Sequence, residues 1–195
     1  MKNLNNIFLI LSLFLLTSCS LDLKNLLDIH EWKTYTIEKD KHYSNGYTTR
    51  VNTLSSYHID FIVKFDETAI YKTTLKSNQA DINKLYGFTD CNALIHECSA
   101  RFGWVWNDAR QKLECWTYVY SNSKSHYKFI GDINFGEEMS YSIYCVDDHY
   151  NFNFNGNLIT MPRGCNQKAT VRFYVYPYFG GDETAPHQIN IRIKD

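Results

Sequence analysis

The sequence predicts an all-β fold, an antiparallel two-sheet sandwich of jelly-roll type. Three observations predict it. Aromatic residues make up 16% of the chain, led by 15 Tyr and 12 Phe, and such side chains suit pleated, half-buried surfaces. Apolar residues recur with period two in several runs, as expected of antiparallel strands that bury one face. Turn-forming residues separate these runs at short spacing, as they do in sandwiches and barrels.

The clearest alternations are Ile59, Phe61, Val63 and Phe65; Tyr150, Phe152 and Phe154; Val171, Phe173 and Val175 within Thr170–Tyr178; and Ile189, Ile191 and Ile193. Further strands are predicted near 32–38, 47–54, 69–74, 99–106, 112–120, 126–133, 139–146 and 157–161. Turns fall at Asn107-Asp108, Ser121-Asn122, Asp147-Asp148 and Asn155-Gly156, the last a strong hairpin signal. A helical turn is expected only around 78–86. Two packed sheets are preferred to a single up-and-down barrel, which gives no reason for so many exposed tyrosines.

The N-terminus has a different character. Lys2 precedes an apolar run from Ile7 to Leu16 that is broken only by Ser12. It is too short to span ~30 Å of hydrocarbon as a mature helix and has the build of a signal peptide. Leu16-Thr17-Ser18-Cys19 resembles the lipobox of bacterial lipoproteins. That resemblance implies a signal peptide over 1–18, a lipidated Cys19, a tether over 19–30 and a β-sandwich over 31–195. The palmitate-class acyl chains on Cys19 would hold the protein to a lipid bilayer, since two or more chains anchor stably. Ser20 in the next position does not look like an inner-membrane retention signal, so the outer membrane is the expected location.

Lys and Arg number 20 against 21 Asp and Glu, and the basic field of a nucleic-acid binder is missing. With Cys19 set aside, Cys91, Cys98, Cys115, Cys145 and Cys165 remain. An odd count leaves at least one unpaired within the chain. Export permits disulfides, and small buried thiols are equally consistent with the pattern. No pair has the close spacing of a zinc site, so neither metal nor cofactor is expected. No nucleophile elbow, zincin or phosphate-loop motif is present. His96-Glu97 and His187 complete no catalytic or metal constellation, and Asp147-Asp148 and Asp182-Glu183 fit solvated turns better than the Ca²⁺ sites their carboxylates could also form.

The candidate site lies in a hairpin. If Asn107 to Arg110 form its loop, Trp106 faces Gln111, Trp104 faces Leu113 and Phe102 faces Cys115. One face then carries Phe102, Trp104, Leu113, Cys115 and Val119. The other carries Arg101, Glu114, Trp116, Tyr118 and Tyr120. A three-residue loop would mix the two sets, because a one-residue slip flips every side chain. Thr170–Tyr178 has a similar second face of Arg172, Tyr174, Tyr176 and Tyr178. Flat rings stack on the C–H faces of sugars, and the Arg fork matches a carboxylate, so the two strands together would suit a polysaccharide. The same rings would also serve as cross-strand packing pairs.

His96 to Trp106, with its Ser99-Ala-Arg-Phe-Gly-Trp104 motif, together with Tyr178-Phe-Gly-Gly-Asp-Glu-Thr-Ala-Pro-His187, resembles a group of bacterial secreted and lipoprotein β-sandwich domains, over roughly residues 56–195. The resemblance implies the fold and export and assigns no catalytic residue. The architecture is also similar to concanavalin-like lectins and glycanases. The expected function is a membrane-anchored, non-catalytic glycan-binding domain. A polysaccharide lyase or glycoside hydrolase, or an envelope protein that binds another protein, is the alternative.

Overall fold

The structure, a computed structural model, describes residues 31–45 and 52–195. The signal peptide, Cys19, the tether and most of the expected strand at 47–54 lie outside these residues. Within them, the chain forms eleven strands in two antiparallel sheets: β1 (Lys33–Ile37), β2 (His58–Phe65), β3 (Asn83–Thr89), β4 (Ser99–Asn107), β5 (Lys112–Ser121), β6 (Lys124–Ile133), β7 (Met139–Val146), β8 (His149–Phe154), β9 (Asn157–Pro162), β10 (Tyr174–Val175) and β11 (Ile189–Lys194). One sheet has the order β1-β11-β2-β7-β8-β9 and the other β10-β3-β4-β5-β6.

The period-two runs build the core between the sheets. Phe61 and Phe65 of β2, Tyr141 of β7 and Phe152 of β8 meet Phe102 and Trp104 of β4. Phe102 approaches Tyr141 and Phe152 edge-on, with ring centres 4.9 and 5.0 Å apart, and Trp104 lies 5.6 Å from Phe65. Such tilted and edge-on pairs add to the gain from area burial. Tight turns close the hairpins. Asn155 and Gly156 both take positive φ (47° and 89°), as a two-residue turn matched to strand twist requires. Asn122 and Ser123 do the same between β5 and β6.

The β4–β5 loop is Asp108–Gln111, so Trp106 pairs with Leu113, Trp104 with Cys115 and Phe102 with Thr117. This register is one residue further along each strand than a loop at Asn107–Arg110 would give. The two offsets add to an even number, so the predicted faces survive unmixed. Phe102, Trp104, Leu113, Cys115 and Val119 are all buried between the sheets.

Three segments differ from the sequence reading. The alternation predicts a strand at 69–74, but the backbone there is satisfied locally. The Asp66 carboxylate accepts from Thr68 N–H and starts a 3₁₀ turn at Glu67–Ala69, and the Gln79 side chain accepts from Thr73 N–H. The helical turn expected over 78–86 is a short 3₁₀ segment, Lys76–Ala80, and the chain then enters β3. Thr170–Tyr178 keeps strand form only at Tyr174–Val175. Its carbonyls are shared between two neighbours: Arg172 O accepts from Leu54 N–H and Phe173 O from Thr89 N–H. That division breaks the alternation of its side chains.

Cys91 and Cys165 form a disulfide, while Cys98 and Cys115 are buried thiols and Cys145 is half-buried. Of the two sequence readings, disulfide and core thiol, each applies to part of the set.

Candidate functional site

A cavity of about 370 Å³ opens on the outer face of the five-stranded sheet. Its walls come from four places. β3 supplies Lys84, β4 Arg101, β5 Tyr118 and Tyr120, and the loop before β4 brings Ile95 and His96. Tyr43, Val175, Tyr178, Gly180 and Gly181 complete the rim. Both motif segments of the sequence therefore contribute here, Ser99–Trp104 through Arg101 and Tyr178–His187 through Tyr178, Gly180 and Gly181.

Each wall has a local cause. In β3 the register shifts between Lys84 and Gly87, so one extra residue sits opposite β4. This bulge sends Leu85 and Tyr86 both into the core and leaves Lys84 on the outer face. Bulges re-aim side chains in this way. Gly87 is needed for the close approach, because a Cβ there would lie 2.0 Å from the Ala100 carbonyl oxygen. In β6 a second bulge, opposite Cys115 and Trp116, turns Ile130 inward and keeps Phe129 beside Trp116 outside.

The cations sit over aromatic rings. Lys84 Nζ is 4.7 Å from the centre of the Tyr118 ring, and the Arg101 guanidinium is 5.1 Å from the same ring and 5.9 Å from that of Tyr120. Such cation–π contacts hold a charge near an apolar surface without neutralising it. Lys84 also donates to the Ile82 carbonyl at 2.7 Å. Burial, and then the neighbouring Arg101 charge, lowers its ammonium to about 8, against the opposing pull of Asp81. Burial, and then Tyr120, raises the Tyr118 hydroxyl to about 12. His96 meets Tyr120 edge-on at 5.2 Å, and Tyr43 meets Tyr178 edge-on at 5.2 Å. No carboxylate lines the cavity among the described residues.

Of the residues on the two candidate faces, Arg101, Tyr118, Tyr120 and Tyr178 line this cavity. Trp116 and Glu114 occupy the same sheet face further along β5. Trp116 packs edge-on against Phe129 and Tyr127, with ring centres 5.8 and 6.2 Å apart, and these three rings extend the aromatic surface beyond the cavity. Glu114 is committed within the protein. It accepts from Arg110 at 2.6 Å, from Asn107 at 2.9 Å and from the Trp116 indole at 3.3 Å.

Arg172, Tyr174 and Tyr176 lie elsewhere, which corrects the two-strand ligand face. Arg172 is 2% exposed and stacks on Tyr57 at 3.9 Å, with Nε 4.0 Å from Asp90. Tyr174 stacks on Tyr86 at 5.7 Å, and Tyr176 packs between Tyr35 and Tyr86. Of that predicted face only Tyr178 reaches the rim, and the broken alternation brings Val175 there beside it. Sequence reasoning missed Tyr43 altogether and passed over Lys84, because the bulge that aims it has no period-two signature. His96 was visible, but only the tertiary fold gives it company. His187 contacts the Thr68 carbonyl at 2.8 Å, and Glu183 accepts from Thr74 and Leu75 N–H and from Asn78, so both serve as loop pins.

Among the described residues, one grouping has the spacing of a metal site: Asp90, Cys91 and Cys165. Its two sulfurs are bonded to each other, and Asp90 accepts from Arg163 Nε at 2.6 Å and from the Tyr150 hydroxyl at 3.0 Å.

No family model matches the sequence, and no curated protein matches it. Solved structures do match. An alginate lyase from Chlorella virus superposes with a TM-score of 0.51 at 14% identity, covering 83% of this chain and 81% of its own. A Bacteroides ovatus mixed-linkage glucan glycoside hydrolase, solved with product, gives 0.53 at 13% identity and covers 82% and 77%. A family 18 polysaccharide lyase gives 0.51 at 8% identity and covers 89% of each chain. The fold is a concanavalin-like jelly roll. At these identities the likeness extends to the fold and not to the residues of the cavity.

Proposed function

We propose that the domain binds an acidic polysaccharide in the cavity of the five-stranded sheet. One observation carries this reading: two cations, Lys84 and Arg101, and four tyrosines gather in one open cavity on the outer face of the sheet. Lys84 and Arg101 would receive a uronate carboxylate, since hydrogen bonds to charged groups contribute about 1.5–3 kcal/mol. Tyr118 and Tyr120 would face the sugar ring, and Trp116, Tyr127 and Phe129 would support the next units of the chain. The solved structures named above include two polysaccharide lyases and a glucan hydrolase on the same fold, in keeping with a glycan ligand. Hydrolysis in the usual manner needs two carboxyl groups flanking the bond, and none lines the cavity among the described residues. The lipobox-like Leu16–Cys19 would hold the domain on the cell envelope, in the outer membrane by the character of Ser20.

Calorimetric titration tests the ligand. A uronate oligosaccharide should bind, and its carboxyl-reduced counterpart should bind at least about tenfold more weakly, the equivalent of about 1.4 kcal/mol. Equal affinity for both, or none for either, removes the proposal. Detergent-phase partitioning of the wild type and Cys19→Ala tests the anchor. The variant should leave the membrane fraction, and unchanged partitioning would count against lipidation.

The chemistry of the same groups favours one second reading, a β-eliminating lyase. Cations on the carboxylate would acidify the adjacent C–H, a basic group among Lys84, His96 and the tyrosines would take that proton, and a phenol would protonate the leaving oxygen. A lyase leaves an unsaturated product that absorbs ultraviolet light. Its appearance during incubation with uronate polymers favours the lyase, and binding without it favours the recognition module.

A further inference from the structure

Three of the five cysteines of the β domain gather at one end of the sandwich. Cys91 is bonded to Cys165, 74 residues away in sequence. Cys98, seven residues from Cys91, places its sulfur 2.8 Å from that of Cys91. The backbone holds these two together: Asp90 N–H donates to the Cys98 carbonyl and Cys98 N–H to the Leu94 carbonyl, each at 3.0 Å. On the other side Gly164 leaves room. A side chain there would bring its Cβ within 3.3 Å of the Cys98 sulfur.

We propose that Cys91, Cys98 and Cys165 form a thiol–disulfide exchange site, in which Cys98 takes Cys91 from Cys165. The Cys98 thiol loses its proton to water and its thiolate attacks the Cys91 sulfur. The Cys91–Cys165 bond breaks, the Cys91–Cys98 bond forms, and Cys165 leaves as a thiolate that takes a proton from water. One disulfide and one thiol exist before and after, so no oxidant or reductant is consumed. Exchange of this kind proceeds through the thiolate.

The product differs from the starting state in two ways. The new bond closes the short loop that carries Ile95 and His96, both in the cavity wall. It also frees the half-buried Cys165 and unties its segment from that loop. The site is gated by burial. Cys98 is 3% exposed, and burial raises its thiol, while the Tyr150 hydroxyl, the Gly164 N–H and the Arg163 charge lower it and Asp90 adds to the rise. Exchange should therefore quicken as pH rises.

Disulfide mapping of the full chain, purified without reductant, incubated over a pH series and trapped with an alkylating agent under denaturing conditions, tests the proposal. Expected is a Cys91–Cys98 linked peptide that grows with pH, together with an equal gain of alkylated Cys165. Cys98→Ser should retain only Cys91–Cys165 at every pH, and Cys165→Ser should carry Cys91–Cys98. A wild type with Cys91–Cys165 alone at every pH overturns the proposal. So does a Cys91–Cys98 pair that appears only alongside pairs to Cys115 or Cys145, which reports general scrambling. Should Cys165→Ser fail to fold, the wild-type series decides alone. Sulfur pairing is read without any glycan, so the result is independent of the ligand proposal.

Discussion

Arg101 and Arg172 sit in segments with similar text, an arginine among alternating aromatic residues, and their side chains are 3% and 2% exposed. Arg101 lies over Tyr118 in the cavity wall, in a strand paired with β5 along its whole length and with β3 from Ser99 to Trp104. Arg172 lies over Tyr57 beside Asp90, in a segment whose backbone is divided between two neighbours. An arginine in the wall of an open cavity lies where a ligand can reach the sheet face. One facing a buried carboxylate is part of the fold. The difference teaches that the surroundings, an open cavity for Arg101 and a buried carboxylate for Arg172, separate two arginines of the same exposure and similar sequence.

The comparison breaks most visibly at the countercharge. Asp90 is fully buried and also pairs with Arg163, whose side chain is 3% exposed. Asp90→Ala would strand two buried cations and should cost about 3–5 kcal/mol, read from the urea midpoint. A loss below about 1 kcal/mol would show that Arg172 needs no internal partner. The two faces of the β4–β5 hairpin give a second contrast. Trp104→Ala should cost about 3–5 kcal/mol, as deletion of a core ring does, while Trp116→Ala should lower oligosaccharide affinity and shift the melting temperature far less. Equal destabilisation by both would mean that the outer face is packing alone.

Next come the cavity cations. Arg101→Met should weaken uronate binding by about 10–150-fold, the equivalent of about 1.5–3 kcal/mol, while Arg172→Met should leave the affinity unchanged. A matching loss in both variants would collapse the distinction. Tyr176→Phe removes the hydroxyl that accepts from Asn52 at 2.8 Å. It should cost about 0.5–1.5 kcal/mol of stability and nothing in affinity, as befits a tyrosine outside the cavity.

The smallest effect is a pH dependence with opposite signs for binding and folding. Lys84 titrates near 8 in the fold against 10.5 when unperturbed. Between those values the unfolded chain holds more protons, so the contribution of Lys84 to stability rises with pH. An anionic ligand needs the ammonium, so affinity should fall as pH rises through about 8. Lys84→Met should flatten both slopes relative to the wild type, and an affinity slope that survives the substitution would place the titrating group elsewhere.

Much of this was legible in the residues themselves. The alternation in 59–65, 150–154 and 189–193 marks β2, β8 and β11, because a half-buried strand must alternate to bury one face. Asn155-Gly156 marks its hairpin, because two successive positive φ angles favour those residues. The faces of β4 and β5 could be sorted into core and outer sets even with the loop misplaced by one residue, since equal offsets in both strands preserve parity. Other features were settled only when distant segments met. The β3 bulge that aims Lys84 outward, the neighbours that divide 170–178, the pairing of Cys91 with Cys165 and the approach of Cys98 all depend on contacts far apart in sequence. Local sequence determines which way a regular strand faces. Where the ladder is irregular, the direction of a side chain is fixed by whichever neighbour satisfies the backbone, and that neighbour exists only in the folded chain.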